Sequence, residues 1–290
     1  MANDNKHDLS SDGISFDFFN MLWMKDELNF GPSVNLPDTV VYKFGQPVHW
    51  YFTATNGRIK QKNRHNLMNA RIEEAFTKQL LGYDIIATFI AVVPDSNDPN
   101  EENERKPGPM TIEFLNRAGL NDFLYNRKKG NHGILQRFIE PKGVKNETIR
   151  AIWSPKVCLL ERAENIHQLH DHRYGLYERC ITFEGPDYYS VSTPLRGPVL
   201  AGQLQKVCEA IVSHVSEVTF AQQQISRVVL NFKVDSRDKL WLLYSTSIRC
   251  ANAASSQNPG DITHTSAKAR TLVNIDNVIT LPEQVISSST

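Results

Sequence analysis

The residue types best suited to chemistry crowd into residues 166–172, where His167, His170, Asp171 and His172 stand close together. On a helix, His167 and His170 at i and i+3 would share a face, and imidazole with carboxylate is zinc-ligand chemistry. The spacing is not that of the helical metalloprotease pattern, which needs histidines at i and i+4 with a Glu beside the first. The plain reading of the run is a solvated turn. Nucleophilic catalysis has less to work with. There is no Gly-x-Ser-x-Gly elbow, and Cys158 sits in the apolar run 157–160, where a thiol is structural because reactive thiols need electropositive, partly exposed surroundings. Neither a Walker loop nor a Gly-x-Gly-x-x-Gly fingerprint is present. Basic clusters occur at Lys60, Lys62 and Arg64 and at Arg127, Lys128 and Lys129. The second is the candidate contact site for an acidic partner surface, although a short charge run is usually a solvated loop.

The elements that must position these groups can be read from periodicity. Residues 48–55 are β-branched and aromatic and end at Asn56-Gly57, a hairpin signal, so a return strand from Arg58 is expected. Leu67, Ala70, Ile72, Ala75, Phe76 and Leu80 recur at helical spacing over 66–80, Gly82 marks a stop, and 83–93 reads as a buried strand. Further along, Leu200, Leu204, Val207, Ile211, Val215 and Val218 make one apolar stripe, which predicts a helix over 199–218 after Pro198. Residues 225–234 and 240–248 flank the acidic turn at Asp235 and Asp238 and predict an antiparallel hairpin with one buried and one mostly polar face. Short strands are expected at 136–139, 150–153, 157–162 and 177–183. The fold class is α+β, with antiparallel sheets, packed amphipathic helices and polar extended termini.

Residues 94–109 hold four prolines among acidic side chains. As a linker or only a long loop, they divide the chain into a front part (14–93) and a back part (110–250), with polar tails at 1–13 and 251–290. The second tail carries short apolar patches at Leu272-Val273, Val278-Ile279 and Val285-Ile286, enough to dock on another surface. The charge balance of 32 Lys+Arg against 32 Asp+Glu offers no global field for a polyanion, so nucleic acid is disfavoured. The apolar run 85–93 falls well short of the roughly 20 residues of a spanning helix. No targeting segment is visible, which makes the expected compartment cytoplasmic. Cys158, Cys180, Cys208 and Cys250 follow neither a zinc nor a disulfide spacing and read as reduced thiols.

Three resemblances add to this reading. The acidic turn before Leu240-Trp241-Leu242-Leu243 resembles, in outline, the nucleotide- and metal-binding strands of ATP-grasp enzymes. It departs from them where no Glu-x-Asn follows Trp241 to hold magnesium. Residues 49–76 resemble a WWE module, with Trp50 and Tyr51 on a first strand and Ile72-Glu73-Glu74-Ala75-Phe76 in the family's helix, but a second tryptophan near Ile59 is missing. That likeness implies ubiquitin-pathway or poly(ADP-ribose) recognition. The phrases 135–143, 153–158, 177–186 and 226–249 resemble a conserved domain of flagellated-protist proteins. This last resemblance implies an axonemal component on doublet microtubules and transfers no catalytic residue.

The leading expectation is therefore a non-catalytic structural or adaptor protein of the cytoskeleton or flagellar axoneme, without cofactor or metal. Its partners would be a protein scaffold, tubulin and neighbouring axonemal proteins. One alternative is a nucleotide- or metal-dependent enzyme with an ATP-grasp-like hairpin, in which Asp235, Asp238 and the histidine cluster would converge in one cleft. The other is a WWE-like ligand- or protein-binding module with a pocket at Trp50 and Tyr51.

Overall fold

The computed structural model describes residues 9–78, 82–92, 110–129, 132–251 and 278–280, with only the backbone at 12 and 278–280. In chain order the elements are β1 (Ser11–Asp12), α1 (Phe16–Trp23), β2 (Thr39–Lys43), β3 (Gln46–Thr53), β4 (Ile59–Gln61), α2 (Asn69–Thr77), β5 (Ala87–Val92), β6 (Met110–Leu115) and α3 (Arg117–Asn121). They continue with β7 (His132–Arg137), β8 (Lys145–Ser154), β9 (Val157–Gln168), α4 (Leu176–Cys180), β10 (Ser190–Thr193), α5 (Pro198–Val218), β11 (Ile225–Val234), β12 (Leu240–Cys250) and β13 (Val278–Thr280). The fold is α+β, built on two sheets. No helix among the described residues is long and apolar enough to cross a membrane.

The smaller sheet runs β4-β3-β2-β7-β5-β6 and is antiparallel throughout. Its β3–β4 turn is the expected Asn56-Gly57 hairpin, with Gly57 at φ +77°. Strand alternation gives the sheet two apolar faces. Val40, Tyr42, Trp50 and Leu135 lie under Ile72 and Phe76 of α2 and Leu120 of α3. Val41, Tyr51, Ile90 and Ile134 face inward with Phe18, Phe19 and Leu22 of α1.

The larger sheet runs β1-β12-β11-β8-β9-β10, with β13 adding a parallel strand beside β9. On its outer face α5 lays Leu204, Cys208, Ile211 and Val215 into one core with Ile149, Ala151, Val228, Leu230 and Phe232. Helix and hairpin lie where periodicity placed them, because each keeps one face apolar over its whole length.

Several elements differ from expectation. Strands β5 and β6 flank residues 94–109 as antiparallel neighbours, and β7 joins the same sheet, so strands from the front and back parts share one sheet. Residues 177–183 were expected as a strand, but Leu176–Cys180 is helical, because the Glu178 carboxylate accepts the Gly175 N–H at 2.7 Å and starts a turn. The N-terminal segment is not merely a polar tail: Leu9 is buried, and β1 pairs with β12 through Ser11 and Asp12. In the C-terminal tail Val278-Ile279 falls in β13, while Leu272-Val273 and Val285-Ile286 lie outside the described residues.

Candidate functional site

A polar layer lies between the two sheets. The inner face of the larger sheet carries a cross-strand row in which Arg150 of β8 stands opposite Asn231 of β11, and Asn231 opposite Tyr244 of β12. Two residues along, Thr148 and Lys233 continue the same face. The segment after α4 brings Thr182 and Glu184 over this row, and the Thr182 hydroxyl donates to Thr148 at 3.1 Å. Across the gap the smaller sheet supplies Thr88, Ile90, Ile112, Phe114 and Gln136. Gln136 Nε2 ties the sheets together, donating to the Leu243 carbonyl at 2.8 Å and to Thr39 Oγ1 at 2.9 Å.

This layer is charged yet buried. Glu184, whose side chain is 6% exposed, lies 3.5 Å from Arg150 Nη2. Burial raises its pKa, and hydrogen bonding with the Tyr244 hydroxyl and the charge of Arg150 only partly offset that. Lys233 is 3% exposed; its Nζ donates to the Ile139 carbonyl at 2.9 Å and stands 3.8 Å from the centre of the Phe138 ring. Burial pushes its amine down to about 7. Asn146 Oδ1, Arg150 Nε, Glu184 Oε1 and both amide atoms of Asn231 are buried without a hydrogen-bond partner. Each such atom costs about 1–3 kcal/mol when left unmet, and buried polar groups are otherwise nearly always satisfied. Asn146 and Glu184 border a cavity of about 40 Å³. That is room for a few waters, far below the several hundred Å³ of a ligand pocket.

Residues 137–139 form the wall between this inner cavity and an outer groove. The groove has two joined lobes that share Asp38, Phe52 and Arg137. The inner lobe, about 220 Å³, is lined by Leu36, Phe52, Ile139 and Trp241 together with the hairpin turn. The outer lobe, about 480 Å³, sets Lys62, Arg71, Lys78 and Arg137 against Asp38 and Glu74. Lys62 Nζ lies 3.6 Å from the centre of the Trp50 ring, and Trp50 Nε1 donates to Asp38 Oδ1 at 2.8 Å. Burial raises the pKa of Asp38, while that Trp50 bond and the charges of Lys62 and Arg137 pull it down. Trp241 is fixed by its Nε1 donating to Asp235 Oδ2 at 2.8 Å, and Lys239 Nζ caps its ring at 4.2 Å.

The histidine cluster does not gather into a site. His167 stacks on Tyr174 with ring centres 3.6 Å apart, and His170 and His172 are exposed. Asp235 accepts the backbone N–H groups of Arg237 and Lys239 within its own turn, and Asp238 pairs with Lys142 at 2.5 Å on the surface. Among the described residues no group of three or more His, Cys, Asp or Glu side chains could hold a metal ion. Tyr244-Ser245-Thr246 follows Trp241-Leu242-Leu243, so the hairpin does not supply the carboxylate that magnesium would need there. Trp50 and Tyr51 are both buried, one in each apolar face of the smaller sheet. Arg127 is held by Glu113 at 2.5 and 3.0 Å, Lys129 reaches the Leu124 carbonyl and the Phe123 ring, and Lys128 is exposed. Among the described residues no cysteine forms a disulfide, and Cys158, Cys180 and Cys208 are buried.

No family model matches the chain, and neither does any curated protein. Solved structures with a similar arrangement include D-cycloserine synthetase DcsG, at TM-score 0.35 and 12% identity over 73% of this chain and 57% of that one. The D-Ala:D-Ser ligase VanG from Enterococcus faecalis gives 0.33 and 10% over 75% and 48%. The RiPP-associated ATP-grasp ligase of Chryseobacterium gregarium gives 0.35 and 9% over 73% and 47%. The chain thus spans about half the length of the structures it matches. These three are ligases or synthetases, and none is a cytoskeletal protein. On that finding the expectation of a non-catalytic axonemal or microtubule-associated adaptor is corrected and set aside, together with the expectation that the chain is not an enzyme. TM-scores this far below 0.5 assign neither a chemistry nor a residue, so the functional reading has to come from the chain's own geometry.

Proposed function

We propose that the protein binds a nucleotide-like ligand, a planar ring carrying phosphates, at the cleft between its two sheets. The reading rests on one observation: a layer of buried polar atoms without partners, separated by a single backbone segment from a groove that is aromatic in one lobe and basic in the other. A ring fits the lobe of Phe52 and Trp241, where stacking is available. Phosphates suit the lobe of Lys62, Arg71 and Lys78, where cations outnumber carboxylates. This keeps the nucleotide half of the ATP-grasp-like alternative and leaves out its metal half, because the described carboxylates do not converge on a metal.

The test is isothermal calorimetry and thermal unfolding of the full chain with ATP, ADP and inorganic triphosphate. A ligand at 100 times its Kd adds about 2.7 kcal/mol to stability, a rise in Tm of several degrees. The double variant Lys62→Glu, Lys78→Glu should weaken binding by about tenfold or more. An unchanged Tm at millimolar concentrations of every ligand would overturn the reading.

A further inference from the structure

Lys233 lines the inner cavity and reaches the wall that divides it from the outer groove. It projects from β11 into the polar layer, yet its one hydrogen bond goes to the wall: Nζ donates to the carbonyl of Ile139, and the Phe138 ring lies against the amine. Both lobes and the inner cavity meet at this wall, since Arg137 lines all three spaces. An ammonium has three donors, and a backbone carbonyl is a weak partner for a buried charge compared with an anion.

We propose that Lys233 is the inner anion-binding residue of the cleft, leaving the Ile139 carbonyl to meet a phosphate of the ligand while segment 137–139 yields and opens the inner cavity to the groove. This deepens the nucleotide reading and rests on it. The groups facing the amine are the Cys180 thiol of α4, Glu147 of β8 and Glu140 beyond β7, with Glu184 and Arg137 lining the same cavity. Glu140 and Glu147 favour the charged amine but are outweighed by its burial, and the amine is held near neutrality at about 7. An arriving phosphate tips that balance. The bound state holds the proton, so ligand binding takes up a proton at pH 8.

The experiment is calorimetry of the full chain with ATP at pH 8 in HEPES and in Tris, whose ionisation enthalpies differ. The expected result is a binding enthalpy that changes with the buffer in proportion to proton uptake. Lys233→Met, which keeps the length of the side chain, should bind about tenfold or more weakly and lose the buffer dependence, while Lys233→Arg should keep binding and take up no proton. ATP binding by the wild-type chain with no buffer dependence would overturn the role of Lys233 and leave the cleft reading standing. So would a folded Lys233→Met variant with unchanged affinity. Absence of ATP binding by the wild-type chain would overturn both. Should Lys233→Met fail to fold, the buffer dependence of the wild-type chain decides alone.

Discussion

Arg179 and Asp84 clasp each other across the two halves of the molecule, Nη1 to Oδ1 at 3.0 Å and Nη2 to Oδ2 at 2.8 Å. Arg179 stands on α4 beside the larger sheet, almost wholly buried, and Asp84 leads into β5 of the smaller one. The guanidinium also donates to the Leu169 carbonyl. This pair is a hinge pin between the sheets that enclose the cleft.

Arg179→Met should therefore destabilise the protein by about 2 kcal/mol, less than the roughly 3–5 of a fully buried pair because Asp84 is more than a third exposed and partly screened. Burial alone would raise the Asp84 pKa, but the hydrogen bonds and charge of Arg179 outweigh it and hold the carboxyl below its ordinary value. A depressed carboxyl contributes its full stability above the unfolded pKa of about 4 and loses it as pH falls through the folded value. Urea unfolding of both proteins from pH 7 downward checks this. The gap between them should narrow below about pH 4, and a constant gap would exclude Asp84 as the titrating partner.

A second pH dependence comes from Lys233 and has the opposite origin. Its amine sits at about 7, below the unfolded lysine value. The folded state therefore binds fewer protons than the unfolded state between about pH 7 and 10, and stability rises with pH across that window by at most about 1.4 kcal/mol per unit. Below pH 7 the cost of the buried charge is fully present. Lys233→Met without ligand should be the more stable protein at pH 7, and its advantage should shrink toward pH 10. Matched denaturation curves at three pH values measure the difference, in which other titrating groups cancel.

Asn231 offers a third test because its side chain carries two partnerless atoms in a buried position. Replacing orphaned polar groups by apolar atoms of similar shape is neutral or stabilising. Asn231→Leu should raise stability by about 1–2 kcal/mol. A loss of stability would mean that ordered water already satisfies the amide in the closed cleft.

Gly133 tests the packing on the face of the smaller sheet that lies under α2 and α3. A Cβ there would stand 2.7 Å from the Ile90 carbonyl oxygen and 2.6 Å from the Phe89 ring. The ring can move, but the carbonyl belongs to the β5–β7 ladder. Gly133→Ala should cost about 2–3 kcal/mol, read from the urea midpoint.

Much of this fold was legible in the sequence. The 199–218 stripe and the 225–248 hairpin were visible because each keeps its period over many residues, and packing rewards that pattern directly. Tyr177 to Phe183 misled, since Tyr, Cys, Ile and Phe carry strand propensity, whereas a single carboxylate at Glu178 capping Gly175 decides the helix. The candidate site was hidden for a different reason. Asn231 and Lys233 alternate with Leu230 and Phe232, which reveals a polar face but not that a second sheet covers it. Lys62 was seen as part of a basic cluster, but its partners Asp38 and Trp50 arrive from other strands. At 94–109 composition marks a long connection but cannot show that the strands on either side of it pair.

The order of the strands along the chain also has a consequence during synthesis. All six strands of the smaller sheet precede residue 138, whereas β1 must wait for β12, more than two hundred residues later, and β13 closes the far edge later still. A nascent chain can therefore complete its first sheet long before the second exists. Until then Ile112 and Phe114 lack the larger sheet that faces them in the folded protein. The half-made protein is a sticky surface waiting for its lid, so the speed of translation through β8 to β12 should govern how much of it reaches the folded state.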